Sequence, residues 1–138
     1  MDPVSGRVFP FPKALALKEG SLAYFPELGP LPHPRPVPTV RHVQPEELRA
    51  GATGSGPLEA GWVVVLAYRQ GAPGLLGPLT RGETAFELAR HALNLPRYGA
   101  RALRLLAAVT ERARGYRLVF GDLEAAVKAI LDLDLGDD

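Results

Sequence analysis

The sequence predicts a mixed α/β (α+β) protein, with a mixed β-sheet and about three C-terminal helices packed on it. Two strands and a helical pattern carry that prediction. Trp62-Val63-Val64-Val65-Leu66-Ala67-Tyr68 is a continuous β-branched and aromatic run bounded by glycines, as expected of a central strand covered on both faces. Tyr116-Arg117-Leu118-Val119-Phe120 is a second strand, with Tyr116, Leu118 and Phe120 on one side. Around these strands, apolar residues recur at helical intervals beside capping signals. The 138 residues suit one domain that buries a core without staples. It has a Pro/Gly-rich β and loop portion, 1–61, and a strand-helix-helix-strand-helix portion, 62–135. No internal repeat is visible.

In chain order, Arg7-Val8-Phe9 and Ala14 to Lys18 are short strand candidates separated by Pro10-Phe11-Pro12, which confine them to an edge or a bulge. Ser21 to Phe25 is a short strand or one helical turn. Pro26 to Pro38 is a loop. Its Leu31-Pro32-His33-Pro34-Arg35-Pro36-Val37-Pro38 run favours polyproline II, because proline fixes φ and removes donors; it reads as a rigid connector or a groove ligand. Thr39 to Val43 is a short strand. Gln44 to Leu48 is a helical turn with proline near its start, and Gly51 to Gly61 is a flexible loop.

After the strand at Trp62, Arg69 to Gly74 forms a turn. Thr80-Arg81-Gly82-Glu83 has capping-box spacing and opens a helix marked by Phe86, Ala89 and Leu93, which Pro96 ends. A second helix is expected from about Tyr98 to Arg114, with Leu103, Leu106, Ala107 and Thr110 on one face and Gly115 past its end. Asp122 caps a third helix whose buried stripe is Leu123, Val127, Ile130 and Leu131; the acidic end, Asp132 to Asp138, frays.

Composition narrows the function classes. There are no cysteines, which excludes disulfides, thiolate metal sites and a cysteine nucleophile. A formal net charge of +1 argues against a nucleic-acid partner or a basic membrane tether. No apolar run approaches the ~18 residues of a membrane span. The N-terminus lacks a signal-peptide pattern, so a soluble, cytoplasmic protein is expected. Many arginines, 14 prolines and few amide side chains fit a heat-adapted source or a GC-rich genome alike.

Catalytic motifs are not evident. A phosphate loop needs G-x-x-x-x-G-K-[ST], so that main-chain amides cradle phosphate and a lysine reaches its oxygens. The one Gly-rich candidate, Gly51-Ala52-Thr53-Gly54-Ser55-Gly56-Pro57, has no lysine, and Pro57 removes a donor. His33, His42 and His91 have no metal-ligand spacing, so no metal and no cofactor are expected. Glu83 and Asp122 are explained by capping, and Glu46 and Glu47 by a helix's first turn. Ser5, Ser21 and Ser55 lie outside any nucleophile-elbow context. No catalytic residue is assigned. Anion or partner contact is the remaining reading for five cationic candidates. Arg41, its neighbour His42 and Arg69 lie near strand ends, which border ligand crevices. Arg97 and Arg101 share a helix face with Arg104, which is otherwise a solvated face.

Five segments stand in a familiar order. They are Val8 to Lys18, Val40 to Leu48, Val64 to Ala72, Pro78 to Ala85, and Tyr116 to Ala126. Together they resemble the C-terminal part of HPr kinase/phosphorylase-like proteins, in the phosphoenolpyruvate-carboxykinase-like superfamily. The resemblance implies a mixed sheet beside a nucleotide-phosphate site. In that family the Walker A loop and the acidic Walker B-like residues precede the matching region. This sequence shows neither, so no family catalytic residue transfers, and the chain is not expected to work alone as a nucleotide-dependent kinase. The expected role is a non-catalytic partner for a protein or peptide, such as a P-loop-bearing companion chain in a split kinase, or a homo-oligomer built on an uncovered sheet edge. The alternatives are a small-molecule or phosphate-ligand-binding domain with weak activity, and a fragment of a longer P-loop-containing protein.

Overall fold

The computed structural model describes residues 7–10, 13–29, 40–54 and 56–134. The expected polyproline run Leu31–Pro38 with His33, the residues Ser5 and Ser55, and the end of the acidic tail lie outside these. Two compact units are present, Phe9–Pro57 and Met1–Val8 with Leu58–Asp138. The fold is mixed α/β, as the sequence predicts at that level, but its strands form two sheets where one was expected. Among the described residues, no helix is long and apolar enough to cross a membrane.

The smaller unit is built on an antiparallel pair, β1 (Leu15–Lys18) and β2 (Val40–Val43), with Leu15 opposite Val43 and Lys18 opposite Val40. Leu17 and Val43 are its buried apolar residues. Between the strands, α1 (Glu19–Leu22) resolves the Ser21 alternative as a helical turn, and a 3-10 turn follows at Pro26–Leu28. The short helix α2 (Pro45–Leu48) starts on proline, and the Gln44 amide donates to Glu47 Oε1 at 2.8 Å.

The larger unit holds β3 (Trp62–Tyr68), β4 (Pro73–Leu79) and β5 (Arg114–Phe120) in the order β3-β5-β4. Its helices are α3 (Arg81–His91), α4 (Leu95–Thr110) and α5 (Leu123–Asp134). β5 runs parallel to β3, with Trp62 opposite Arg114 and Tyr68 opposite Phe120. It is antiparallel to β4, with Leu76 opposite Leu118. Val8 forms only an isolated bridge to Leu58 rather than the expected strand.

Several expectations need correction. The β-branched run at β3 is an edge strand, and Leu66 and Tyr68 are 62% and 68% exposed. The centre of the sheet is β5, whose Leu118 is fully buried. β4 was not anticipated, since its Pro-Gly-Leu-Leu-Gly-Pro-Leu run reads as punctuation; a proline-bearing strand fits because β4 is an edge. Pro96 does not end α3. That helix stops at His91, and Pro96 sits in the first turn of α4, where its missing N–H costs nothing. α4 is broken at Gly99, whose φ of 46° and ψ of −129° only glycine adopts readily.

Gly115 is not a helix cap. It lies inside β5 and lets α3 come close: a Cβ there would sit 2.9 Å from Thr84 Cβ and 3.0 Å from its Cγ2. The buried residues of α3 are accordingly Thr84 and Glu87, while Phe86 and Leu93 face solvent, Leu93 at 95%. In α4 the buried residues are Val109 and Thr110, and Leu103 and Ala107 are exposed. In α5 the expected stripe is exposed at Leu123, Val127, Ile130 and Leu131. Ala126 is buried instead, because small residues let the helix sit tightly on its neighbours; Ala125 abuts Gly74 of β4.

The caps behave as the sequence predicts. The Thr80 hydroxyl accepts from the Glu83 amide at 3.2 Å, and Glu83 Oε2 accepts from the Thr80 amide at 2.8 Å. Asp122 Oδ1 accepts from the Ala125 amide at 2.8 Å.

Candidate functional site

The larger unit has a cleft of about 440 Å³ at the carboxyl-terminal ends of its two parallel strands, beside the last turns of α3. Three devices build it. The Arg69 amide donates to the Phe120 carbonyl at 2.8 Å, tying the end of β3 to the end of β5. The turn 69–72 then arches over Gly121, where a Cβ would come within 2.5 Å of the Ala72 amide nitrogen. Tyr68 and Phe120 pack edge to face at 5.8 Å on the same end.

The cleft's polar wall centres on Glu87, a residue only 6% exposed. An unpaired carboxylate at that depth would be costly. It is paired: Arg117 Nη2 donates to Glu87 Oε1 at 2.6 Å, and Arg90 Nη1 lies 3.3 Å and 3.2 Å from the two oxygens. Arg90 also lies over the Phe86 ring, 5.9 Å from its centroid. Arg69 and His91 complete the polar rim. The placement follows from sequence spacing. Glu87 and Thr84 are three residues apart on α3, and Gly115 and Arg117 are two apart on β5, so glycine admits the threonine and arginine meets the glutamate.

Glu83, one turn before Glu87, is held below the ordinary carboxylate range. The Thr80 hydroxyl contributes most, followed by the Thr80 amide, with a smaller pull from Arg117. A second cleft, of about 420 Å³, lies where the start of α3 meets the start of β5, and Arg81, Thr84, Glu111 and Tyr116 line part of it.

The sequence candidates are spread over both units. Arg41, on β2, donates from Nη1 to the Leu28 carbonyl and so ties the 3-10 turn to the strand. His42 is exposed beside it. Arg69 lines the cleft at the end of β3. Arg97 lies over the Tyr98 ring at 5.8 Å. Arg101 and Arg104 are exposed on α4, but Gly99 interrupts the helix between Arg97 and Arg101, so the spacing expected to align them is broken. Arg69 is therefore the one of the five that lines this cleft, and Glu87, Arg90 and Arg117 join it there. A signal for them existed. Arg117 is a charge flanked by Tyr116 and Leu118 inside a strand, and such a residue on a packed face asks for a carboxylate across from it.

The Gly-rich loop is more tied than its composition suggests. Glu46 accepts from the Ala52 amide at 3.0 Å and the Thr53 amide at 2.7 Å. The hydroxyl and amide of Thr53 are the chief reasons its carboxyl titrates below the ordinary value. Two amides that a phosphate would have to recruit are thus already engaged by an internal carboxylate. Among the described residues no group of three or more histidine and carboxylate side chains is placed to hold a metal.

No protein-family model, curated protein or solved structure matches this chain.

Proposed function

We propose that this chain is a non-catalytic cytoplasmic domain that binds a protein partner, and that it is related to the C-terminal part of HPr kinase/phosphorylase-like proteins. The observation that carries the binding reading is β3. It is a seven-residue edge strand with no proline and no charge, and its Trp62, Leu66 and Tyr68 are exposed on one face. Among the described residues nothing pairs with its outer side; an edge of this kind pairs readily with another strand, and proteins that stay monomeric usually blunt it with lysine, proline or a bulge. The opposite edge, β4, is blunted in that way by Pro73, Pro78 and a register shift between Pro73 and Leu75. Exposed Val127, Ile130 and Leu131 on α5 add apolar surface to the same unit.

On this reading, strand addition at β3 supplies main-chain hydrogen bonds, and the alternate side chains Trp62, Leu66 and Tyr68 supply selectivity. The partner is a second copy or a P-loop-bearing companion chain. Sedimentation equilibrium tests it, on the wild-type chain and on a Leu66→Lys, Tyr68→Lys variant, alone and mixed with such a companion. The expected result is a dimer or a complex for the wild type and a monomer for the variant. A wild-type chain that stays monomeric and ignores the companion defeats the proposal. The alternative, that these residues are one piece of a longer P-loop-bearing protein, is decided by reading the upstream nucleotide sequence for an in-frame Gly-rich loop.

A further inference from the structure

We infer that the cleft around Glu87 is a binding site for a small organic phosphate monoester, held by Arg69, Arg90 and Arg117. Net charge is the first ground. Three guanidiniums line the cleft against the single carboxylate of Glu87, which leaves +2 from these four groups. A phosphate monoester carries about −1.5 to −2 at neutral pH, so the charges match.

Donor supply is the second ground. A guanidinium has five N–H groups in a fixed fork. Arg117 gives Glu87 one hydrogen bond, from Nη2, and Arg90 contacts it through Nη1. The two side chains remain 46% and 60% exposed, while that of Glu87 is 8% exposed. The buried carboxylate thus fixes both arginines and leaves most of their donors unused by it. Fixing the fork beforehand lowers the ordering cost of binding an oxyanion. Phe86 restrains Arg90 from the other side.

Position and shape are the third ground. The cleft opens at the carboxyl ends of parallel strands, where ligands enter open α/β sheets. Its volume of about 440 Å³ lies in the range of small-molecule sites. Val65, Ala67 and Val119, on the same sheet face as Arg117, give it an apolar wall beside the cationic one, which suits an organic group carrying the phosphate. This site uses the α3 side of the unit and does not depend on strand addition at β3.

Isothermal titration with phenyl phosphate, inorganic phosphate and benzoate tests the inference. Phenyl phosphate should bind, with inorganic phosphate weaker for lack of the apolar contact and benzoate weaker for its single charge. The Arg69→Gln, Arg90→Gln double variant, which leaves the Arg117–Glu87 pair in place, should raise the Kd for phenyl phosphate at least tenfold. Arg101→Gln, outside the cleft, should leave it unchanged. The inference is overturned if phenyl phosphate gives no saturable binding, if the double variant binds as well as wild type, or if benzoate binds as tightly as phenyl phosphate. Failure here leaves the partner proposal standing, because that proposal rests on the Trp62, Leu66 and Tyr68 face of β3 and not on the arginines of the cleft.

Discussion

Replacing Gly115 with alanine adds one methyl group where α3 rests on β5. The backbone there is not left-handed, so alanine can adopt it. With free space, the change would stabilise the fold by about 0.4–1 kcal/mol through the unfolded chain. Thr84 reverses the sign. The new Cβ would lie 2.9 Å from Thr84 Cβ and 3.0 Å from Cγ2, with Oγ1 nearer still, against an ordinary carbon–carbon contact of about 3.5–4.0 Å. Thr84 has little freedom to turn aside, because it is 1% exposed and its hydroxyl donates to the Thr80 carbonyl at 2.8 Å. α3 must therefore lift, which also stretches the 2.6 Å bond from Arg117 to Glu87 one helical turn away. Overpacking of this kind costs about 1–3 kcal/mol, and weakening a charged hydrogen bond adds part of a further ~1.5–3 kcal/mol. The expected net loss is about 2–3 kcal/mol, read from urea unfolding at unchanged m-value, or as a fall in Tm of about 3–5 °C per kcal/mol at this size. Thr84→Ala removes Oγ1 and Cγ2, so Gly115→Ala should cost at least ~1 kcal/mol less in that background. A Gly115→Ala chain as stable as wild type, or strictly additive costs in the double variant, would refute the reasoning.

Three other outcomes are expected. Arg117→Met leaves the buried Glu87 carboxylate with Arg90 alone and should cost about 2 kcal/mol in urea unfolding, discounted because Arg117 is itself about half exposed. Gly74→Ala should destabilise by about 1–3 kcal/mol, since φ is +77° there and a Cβ would meet the Ala125 carbonyl oxygen at 2.8 Å; circular dichroism melts would show it. Glu46 and Glu83 both titrate below their ordinary 4.5 in the folded chain. Their contribution is therefore complete above about pH 4.5 and drains away as pH falls through the lower folded values. Melting temperature should drop on acidification in that window, and a Glu46→Gln, Glu83→Gln chain should show a shallower drop.

What the sequence made legible was local chemistry. The Thr80–Glu83 box and the Asp122 cap are decided within four residues, so their signals sit side by side in the chain. β3 and β5 were legible because β-branched and aromatic runs mark strands wherever they lie in a sheet. Position in the sheet was not legible, because a continuous apolar run reads the same at a covered centre and at an edge. β4 was hidden by its own prolines and glycines, whose tolerance depends on its being an edge. The apolar period of Phe86, Ala89 and Leu93 marked the first helix, yet α3 ends before Leu93 and turns Thr84 and Glu87 inward. That orientation depends on a glycine and an arginine of β5 some thirty residues away, and no window along the helix contains them. The same holds for the cleft: Arg69 was found from its place at a strand end, whereas Glu87 and Arg117 become a pair only once β5 lies under α3.

The order β3-β5-β4 has a consequence for how the chain acquires its structure. β3 and β4 are consecutive and joined by only four residues, 69–72, yet they do not pair with each other; they stand apart like the posts of a doorway, and the strand that fills the opening is the last of the three to be synthesised. No ladder of this sheet can close on the ribosome until residues 114–120 have emerged. Until then the main-chain N–H and C=O groups of Trp62–Tyr68 have no ladder partner on either side. Contacts of such sequence separation slow folding and prolong the interval in which intermolecular pairing competes with the native ladder.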